Sequence, residues 1–194
     1  MGQRIPEKEI ANFQSCGDIE SNRRFEVGDD MKKLYLVGGT MGVGKTTICQ
    51  QLKSELSNSV FLDGDWCWDA SPFHVTEETK VMVVDNICHL LNNFLHCSAY
   101  DNVIFCWVMH QQAIIDSIIQ ELDLANCDVK VISLMTDTKC LEERLMNDIE
   151  KGIRSADVLS RSMERIPLYQ ELNTIKIDTC NKSVQTIVDE IRNL

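Results

Sequence analysis

Leu34-Tyr35-Leu36-Val37 runs into Gly38-Gly39-Thr40-Met41-Gly42-Val43-Gly44-Lys45-Thr46-Thr47, and this stretch decides the fold. The apolar run is short and ends in glycines, as a strand buried on both faces of a parallel sheet does. Gly39 to Thr46 fits G-x-x-x-x-G-K-[ST] at every fixed position. Beyond it Ile48, Cys49, Leu52 and Leu56 fall on one face of a helix. Strand, glycine loop and helix in that order make a phosphate cradle. Glycines let the backbone approach phosphate oxygens closely, and the helix N-terminus adds partial positive charge. Lys45 supplies a cation for β- and γ-phosphates, Thr46 a hydroxyl for a metal, and Thr47 a hydroxyl for the α-phosphate. The whole run Gly39, Thr40, Met41, Gly42, Val43, Gly44, Lys45, Thr46 and Thr47 is the expected nucleotide site, with ATP and Mg2+ as cofactors.

Outward from the loop the chain alternates. Residues 60–62, 103–108, 129–134 and 174–177 read as further short strands. Val81, Val84, Ile87, Leu91, Phe94 and Leu95 mark a helix over residues 77–97. Ile114, Ile115, Ile118, Ile119 and Leu122 mark another, and Leu141, Leu145 and Ile149 a third behind the cap Asp137. Val184, Ile187, Val188 and Ile191 close the chain. Alternating strands and helices imply right-handed βαβ units, hence a three-layer α/β/α fold around a parallel sheet of about five strands. Ile5, Ile10, Phe13 and Ile19 form no sustained stripe, so residues 1–31 are expected to be a flexible extension before one domain over 32–194.

The 194 residues suffice for one ordinary domain, and 44% of them are hydrophobic, enough for a substantial core. A net charge of −11 disfavours nucleic acid as a partner. No apolar run reaches the roughly 18 residues of a membrane helix, and residues 1–30 do not resemble a secretion signal. Nine cysteines, with no Cys-x-x-Cys, read as reduced thiols of a cytoplasmic protein. Cys88-His89 and His96-Cys97 lack the spacing of a closed metal site and read as ordinary residues of one helix.

The second informative stretch is Leu62-Asp63-Gly64-Asp65-Trp66. In an open parallel sheet, ligands sit beyond the carboxyl ends of the strands, so Asp63 shares an edge with the glycine loop. Phosphoryl transfer needs an acceptor hydroxyl held in line and a carboxylate to take its proton or to hold magnesium. Asp63 is the candidate for both duties, with Thr46 as the other metal-side group. Asp65, two residues on, is a candidate to bind acceptor hydroxyls or to support Asp63. Trp66 and His110 are candidate acceptor contacts, among aromatic residues suited to a flat ligand.

This arrangement resembles the shikimate kinase and gluconate kinase group of P-loop kinases within the P-loop NTPases. Asp63-Gly64-Asp65 is similar to the motif of gluconate kinase and adenylylsulfate kinase. Arg165-Ile166-Pro167-Leu168-Tyr169, followed by Ile177-Asp178-Thr179, resembles the end of shikimate kinases. The resemblance spans roughly residues 32–194 and implies a mobile lid near 148–160. Arg154 is the first candidate for the lid cation and Lys151 the second. Arg144 is similar to the arginine that opens this segment in the family. Cys106-Trp107-Val108-Met109-His110 replaces the glycine triplet of shikimate kinases, which argues against shikimate as acceptor.

The expected activity is ATP- and Mg-dependent phosphoryl transfer to a hydroxyl of a small molecule, by a monomer or homodimer, with Lys45, Asp63 and Arg154 as catalytic residues. A nucleoside or nucleotide kinase and an antibiotic phosphotransferase are the alternatives within enzymes. A non-catalytic nucleotide-binding switch is the alternative outside them. Asn181-Lys182-Ser183-Val184 lacks the aspartate of a guanine-binding motif, and no acid follows residues 103–108 as a motor ATPase would require.

Overall fold

β1 (Lys32–Gly38) lies at the middle of five parallel strands ordered β2-β3-β1-β4-β5. The computed structural model describes residues 31–155 and 157–194; the extension expected over residues 1–31 lies, except for Met31, outside the described residues. The remaining strands are β2 (Ser59–Asp63), β3 (Asn102–Cys106), β4 (Cys127–Met135) and β5 (Ile175–Asp178). Between them run α1 (Lys45–Glu55), α2 (Glu77–His96), α3 (Gln112–Glu121), α4 (Thr138–Glu150), α5 (Val158–Gln170) and α6 (Val184–Arg192). A three-layer α/β/α architecture with five parallel strands is what the alternating pattern calls for.

Leu34 and Leu36 belong to one core with Leu91 of α2, Ile118 of α3 and Tyr169 of α5. Tyr35 and Val37 belong to the other, with Ile48 and Leu52 of α1 and Val188 of α6. Alternate side chains of β1 thus feed opposite layers, as the period of two in a strand dictates. Each fully buried aliphatic chain is worth about 1.5–3 kcal/mol. A smaller cluster of Leu141, Leu145 and Val158 joins α4 to α5.

The register fixes the site. Asp63 of β2 is level with Cys106 of β3, which is level with Val37 of β1. Two strand spacings of about 4.8 Å therefore separate Asp63 from the root of the glycine loop. On the other side Met135 of β4 is level with Asp178 of β5. β3 ends at Cys106 rather than running to residue 108. Trp107 N still donates to Val37 O at 3.2 Å, while the Trp107 ring turns onto the backbone of Gly64.

The cysteine expectation is corrected. Cys140 and Cys180 are joined as a disulfide across 40 residues of sequence, with Cα atoms 6.0 Å apart. Pairing of β4 with β5 brings together the loops that carry them, a proximity invisible in one dimension. Cys88 is buried in α2, and His96 Nε2 lies 2.9 Å from Asp123 Oδ2, so the Cys-His pairs of that helix form no site.

Candidate active site

Gly42 and Gly44 have φ of 83° and 101°, which glycine accepts without strain. A Cβ on Gly42 would stand 2.6 Å from Leu145 Cδ2, so α4 supports the loop at contact distance. Thr40 is buried, and its Oγ1 donates to Ser162 O of α5 at 3.0 Å. The buried Tyr169 phenol lies against the Gly39 backbone, and burial raises its pKa. Glycine loop, α4 and α5 therefore form one packed unit.

Lys45 Nζ donates to Gly39 O at 2.9 Å and to Thr40 O at 3.1 Å. No carboxylate pairs with it among the described residues. Burial lowers its pKa, against the opposing pull of Cys106, Asp65, Asp63 and Cys49. A recessed cation held only by carbonyls is suited to an incoming anion. That environment fits the phosphates of a nucleotide.

Asp63 is 6% exposed at the end of β2. Its Oδ2 accepts from Thr46 Oγ1 at 2.8 Å, and its Oδ1 accepts from Asp65 N at 3.1 Å. One carboxylate thus spans from α1 to the turn Gly64–Cys67. Thr46 and Asp63 together are a hard-oxygen pair of the kind magnesium takes while keeping several waters. Thr46 and Thr47 are exposed. Burial, then the nearby charge of Asp63, raises the pKa of Asp65; Lys45, Trp107 and Arg154 oppose the rise. A Cβ on Gly64 would stand 2.5 Å from Trp107 Cγ, so the residue between the two acids has no room for a side chain.

Arg154 lies in the turn between α4 and α5, where its Nε donates to Asp148 Oδ2 at 3.0 Å. In this structure it is engaged there rather than against the glycine loop. Lys151 is the exposed C-cap of α4. Arg144 Nη1 donates to Val43 O at 3.3 Å and to Thr179 Oγ1 at 3.1 Å, and its Nη2 donates to Thr179 O at 2.6 Å. It ties the loop to the segment after β5.

The two acceptor contacts read from the sequence separate. Trp66, 58% exposed, lines a cavity of about 430 Å³ with Trp68, Asp69, His74 and Met82. His110 lines another of about 330 Å³ with Arg161, Glu164 and Arg165. Arg161 pairs with Asp157 at 2.6 Å, whereas Arg165 has no ion pair among the described residues. Arg165 was not among the expected site residues, although the stretch Arg165–Tyr169 was available as a signal. Burial lowers the pKa of His110, Arg165 lowers it further, and the hydrogen bond to Val108 opposes both.

Residues 36–165 match the family model described as an AAA domain. The chain belongs to this AAA domain family. The AAA domain chain is 24% identical over 183 residues to the shikimate kinase of Buchnera aphidicola subsp. Schizaphis graminum (strain Sg), covering 85% of this chain and 96% of that protein. Its fold matches a gluconokinase from Sinorhizobium meliloti 1021 at TM-score 0.61 and 16% identity, over 82% of this chain and 89% of that one. It also matches a shikimate kinase from Acinetobacter baumannii, solved with shikimate, at TM-score 0.56 and 20% identity, over 85% and 93%. The proteins that the AAA domain chain is similar to here are P-loop small-molecule kinases.

Proposed function

We propose that this chain transfers the γ-phosphoryl group of ATP, with Mg2+, to a hydroxyl of a small molecule. The observation that carries the reading is the hydrogen bond of 2.8 Å between Thr46 Oγ1 and Asp63 Oδ2, which joins the phosphate cradle to a buried carboxylate two strands away. The backbone of Gly39–Thr46, with Thr47, binds the phosphates. Magnesium held by Thr46 and Asp63 would neutralise charge on the β- and γ-phosphates. Lys45 leaves its carbonyl partners for the transferring group and stabilises the charge spread over its oxygens. Asp63 orients the acceptor hydroxyl in line and takes its proton. Asp65, held by the turn at Gly64, binds further acceptor hydroxyls. Arg154 exchanges Asp148 for the phosphates when residues 148–160 close as a lid, which excludes water.

The cavity beside Trp66 suits a flat or partly apolar acceptor, as an antibiotic-type substrate would be. One observation favours a second reading. The cavity beside His110 carries Arg165, which has no ion pair among the described residues and suits an acceptor bearing a phosphate or carboxylate, such as a nucleotide. No described helix is long and apolar enough to cross a membrane. We assign the protein to the cytoplasm, a reading supported by six free cysteines among the described residues. Its partners are then the nucleotide and the acceptor, not nucleic acid, with a monomer or homodimer as the assembly.

The test is acceptor-dependent ADP release across sugars, hydroxy acids, nucleosides, nucleotides and aromatic natural products, with wild type and Asp63→Ala. Turnover with one class that disappears in Asp63→Ala supports the reading. Nucleotide binding without turnover for any acceptor favours a switch protein, and turnover that survives Asp63→Ala removes Asp63 from the chemistry.

A further inference from the structure

Cys140 sits in the first turn of α4, and Cys180 follows β5. The bond between them encloses a polar knot. Arg144, one turn beyond Cys140, makes its hydrogen bonds to Thr179, the residue before Cys180, and to Val43 of the glycine loop. Thr179 in turn donates from N and from Oγ1 to Met135 O, at 2.8 and 3.0 Å. Both cysteines are only partly buried.

The sheet order says which end of a nucleotide would meet this knot. Asp63 and Asp65 stand by β2, on one side of the loop rooted in β1. β4 and β5 stand on the other. A nucleotide with its γ-phosphate toward the acids must leave its nucleoside on the β4–β5 side, over Cys140, Arg144, Thr179 and Cys180.

We infer that Cys140 and Cys180 are a reversible thiol–disulfide pair that sets the affinity for the nucleotide; this rests on the nucleotide-binding reading above. The oxidant is a low-molecular-weight disulfide, RSSR. One cysteine thiolate attacks it, breaking its S–S bond and releasing RS⁻, to give a mixed disulfide. The second thiolate displaces the remaining RS⁻ and forms the Cys140–Cys180 bond. The two protons of the protein thiols pass to the two leaving thiolates, so the protein is oxidised by two electrons and RSSR is reduced to two RSH. In the disulfide form α4 and the segment after β5 are pinned at the spacing that the bonds of Arg144 require. Less ordering then remains for the nucleotide to impose, and the oxidised protein binds it about fivefold more tightly.

The experiment equilibrates the whole chain with reduced or oxidised glutathione. Intact mass and thiol titration read the bond, and calorimetry with Mg2+ and a non-hydrolysable ATP analogue reads affinity. The expected result is a wild type that loses two hydrogens on oxidation and binds the analogue more tightly. Cys140→Ser and Cys180→Ser should bind like reduced wild type in both buffers. Failure of the bond to form overturns the inference, as does equal affinity in both states. Asp137, Cys140 and Cys180 also offer three donor atoms within 4.8 Å of one another. Stoichiometric zinc uptake by the reduced protein, with nucleotide affinity indifferent to the redox buffer, would overturn the inference in favour of a metal site. Binding in neither state would bring down the nucleotide-binding reading and this inference together, whereas equal binding in both brings down this inference alone.

Discussion

The Thr46 hydroxyl donates to Asp63 Oδ2 at 2.8 Å, so the helix that receives phosphates and the strand that presents an acid share one hydrogen bond. Asp63→Asn keeps an acceptor oxygen for Thr46 but cannot take a proton. Loss of a general base costs about 10²–10⁴ in rate, so kcat should fall by that order. Affinity for the nucleotide should fall much less. Steady-state kinetics beside calorimetric titration of the nucleotide separates the two effects.

Gly64 separates Asp63 from Asp65 and lies under the Trp107 ring. Gly64→Ala must displace either the ring or the turn that carries Asp65. Overpacking of this kind costs about 1–3 kcal/mol, measurable as a lower urea midpoint. Activity should drop with it. Adding Trp107→Ala to Gly64→Ala relieves the collision, and recovery of the urea midpoint in the double variant tests the contact directly.

Arg154 and Asp148 form an ion pair that is about one-third exposed, and exposed pairs contribute about 0–1 kcal/mol. Arg154→Ala should therefore leave the melting temperature nearly unchanged while lowering kcat at least tenfold if the guanidinium covers the phosphates. Asp148→Asn releases the guanidinium and should lower KM for ATP. Equal kcat in Arg154→Ala and wild type would remove this residue from the mechanism.

His110 is held neutral by burial and by Arg165 beside it, with its pKa below the ordinary 6.5. The unfolded chain then binds the proton more readily than the folded one. The stabilisation is complete above the unfolded value and is lost as pH falls from 6.5 through the lower folded value. His110→Gln should flatten this part of the stability profile, measured by urea unfolding between neutral pH and mild acid.

The glycine loop and the alternation of short strands with amphipathic helices were legible because both are local patterns. Leu34–Val37, Asp137 as a cap and the stripe Ile187, Val188 and Ile191 each carry their meaning within a few residues, and the fold followed. The end of β3 was not legible, because Trp107 and Val108 are as apolar as a strand and only the position of Gly64 explains why the ring turns away. Trp66 and His110 were both read as candidate acceptor contacts, and they line different cavities, Trp66 following β2 and His110 following β3. Cys140 and Cys180 meet through strand pairing, for which two isolated cysteines give no signal. Arg165 carried a signal in its Pro-Leu-Tyr neighbours, but its place beside His110 in one cavity is a fact of three dimensions.

Leu145 closes against Gly42, and Ser162 holds Thr40 by its carbonyl. The lid proposed for residues 148–160 would therefore be confined to the span between those two anchors, both of which are fastened to the glycine loop. Such a cover cannot swing as an independent arm. It would behave like a strap riveted at both ends to the seat it crosses, so that loading the seat would tension the strap.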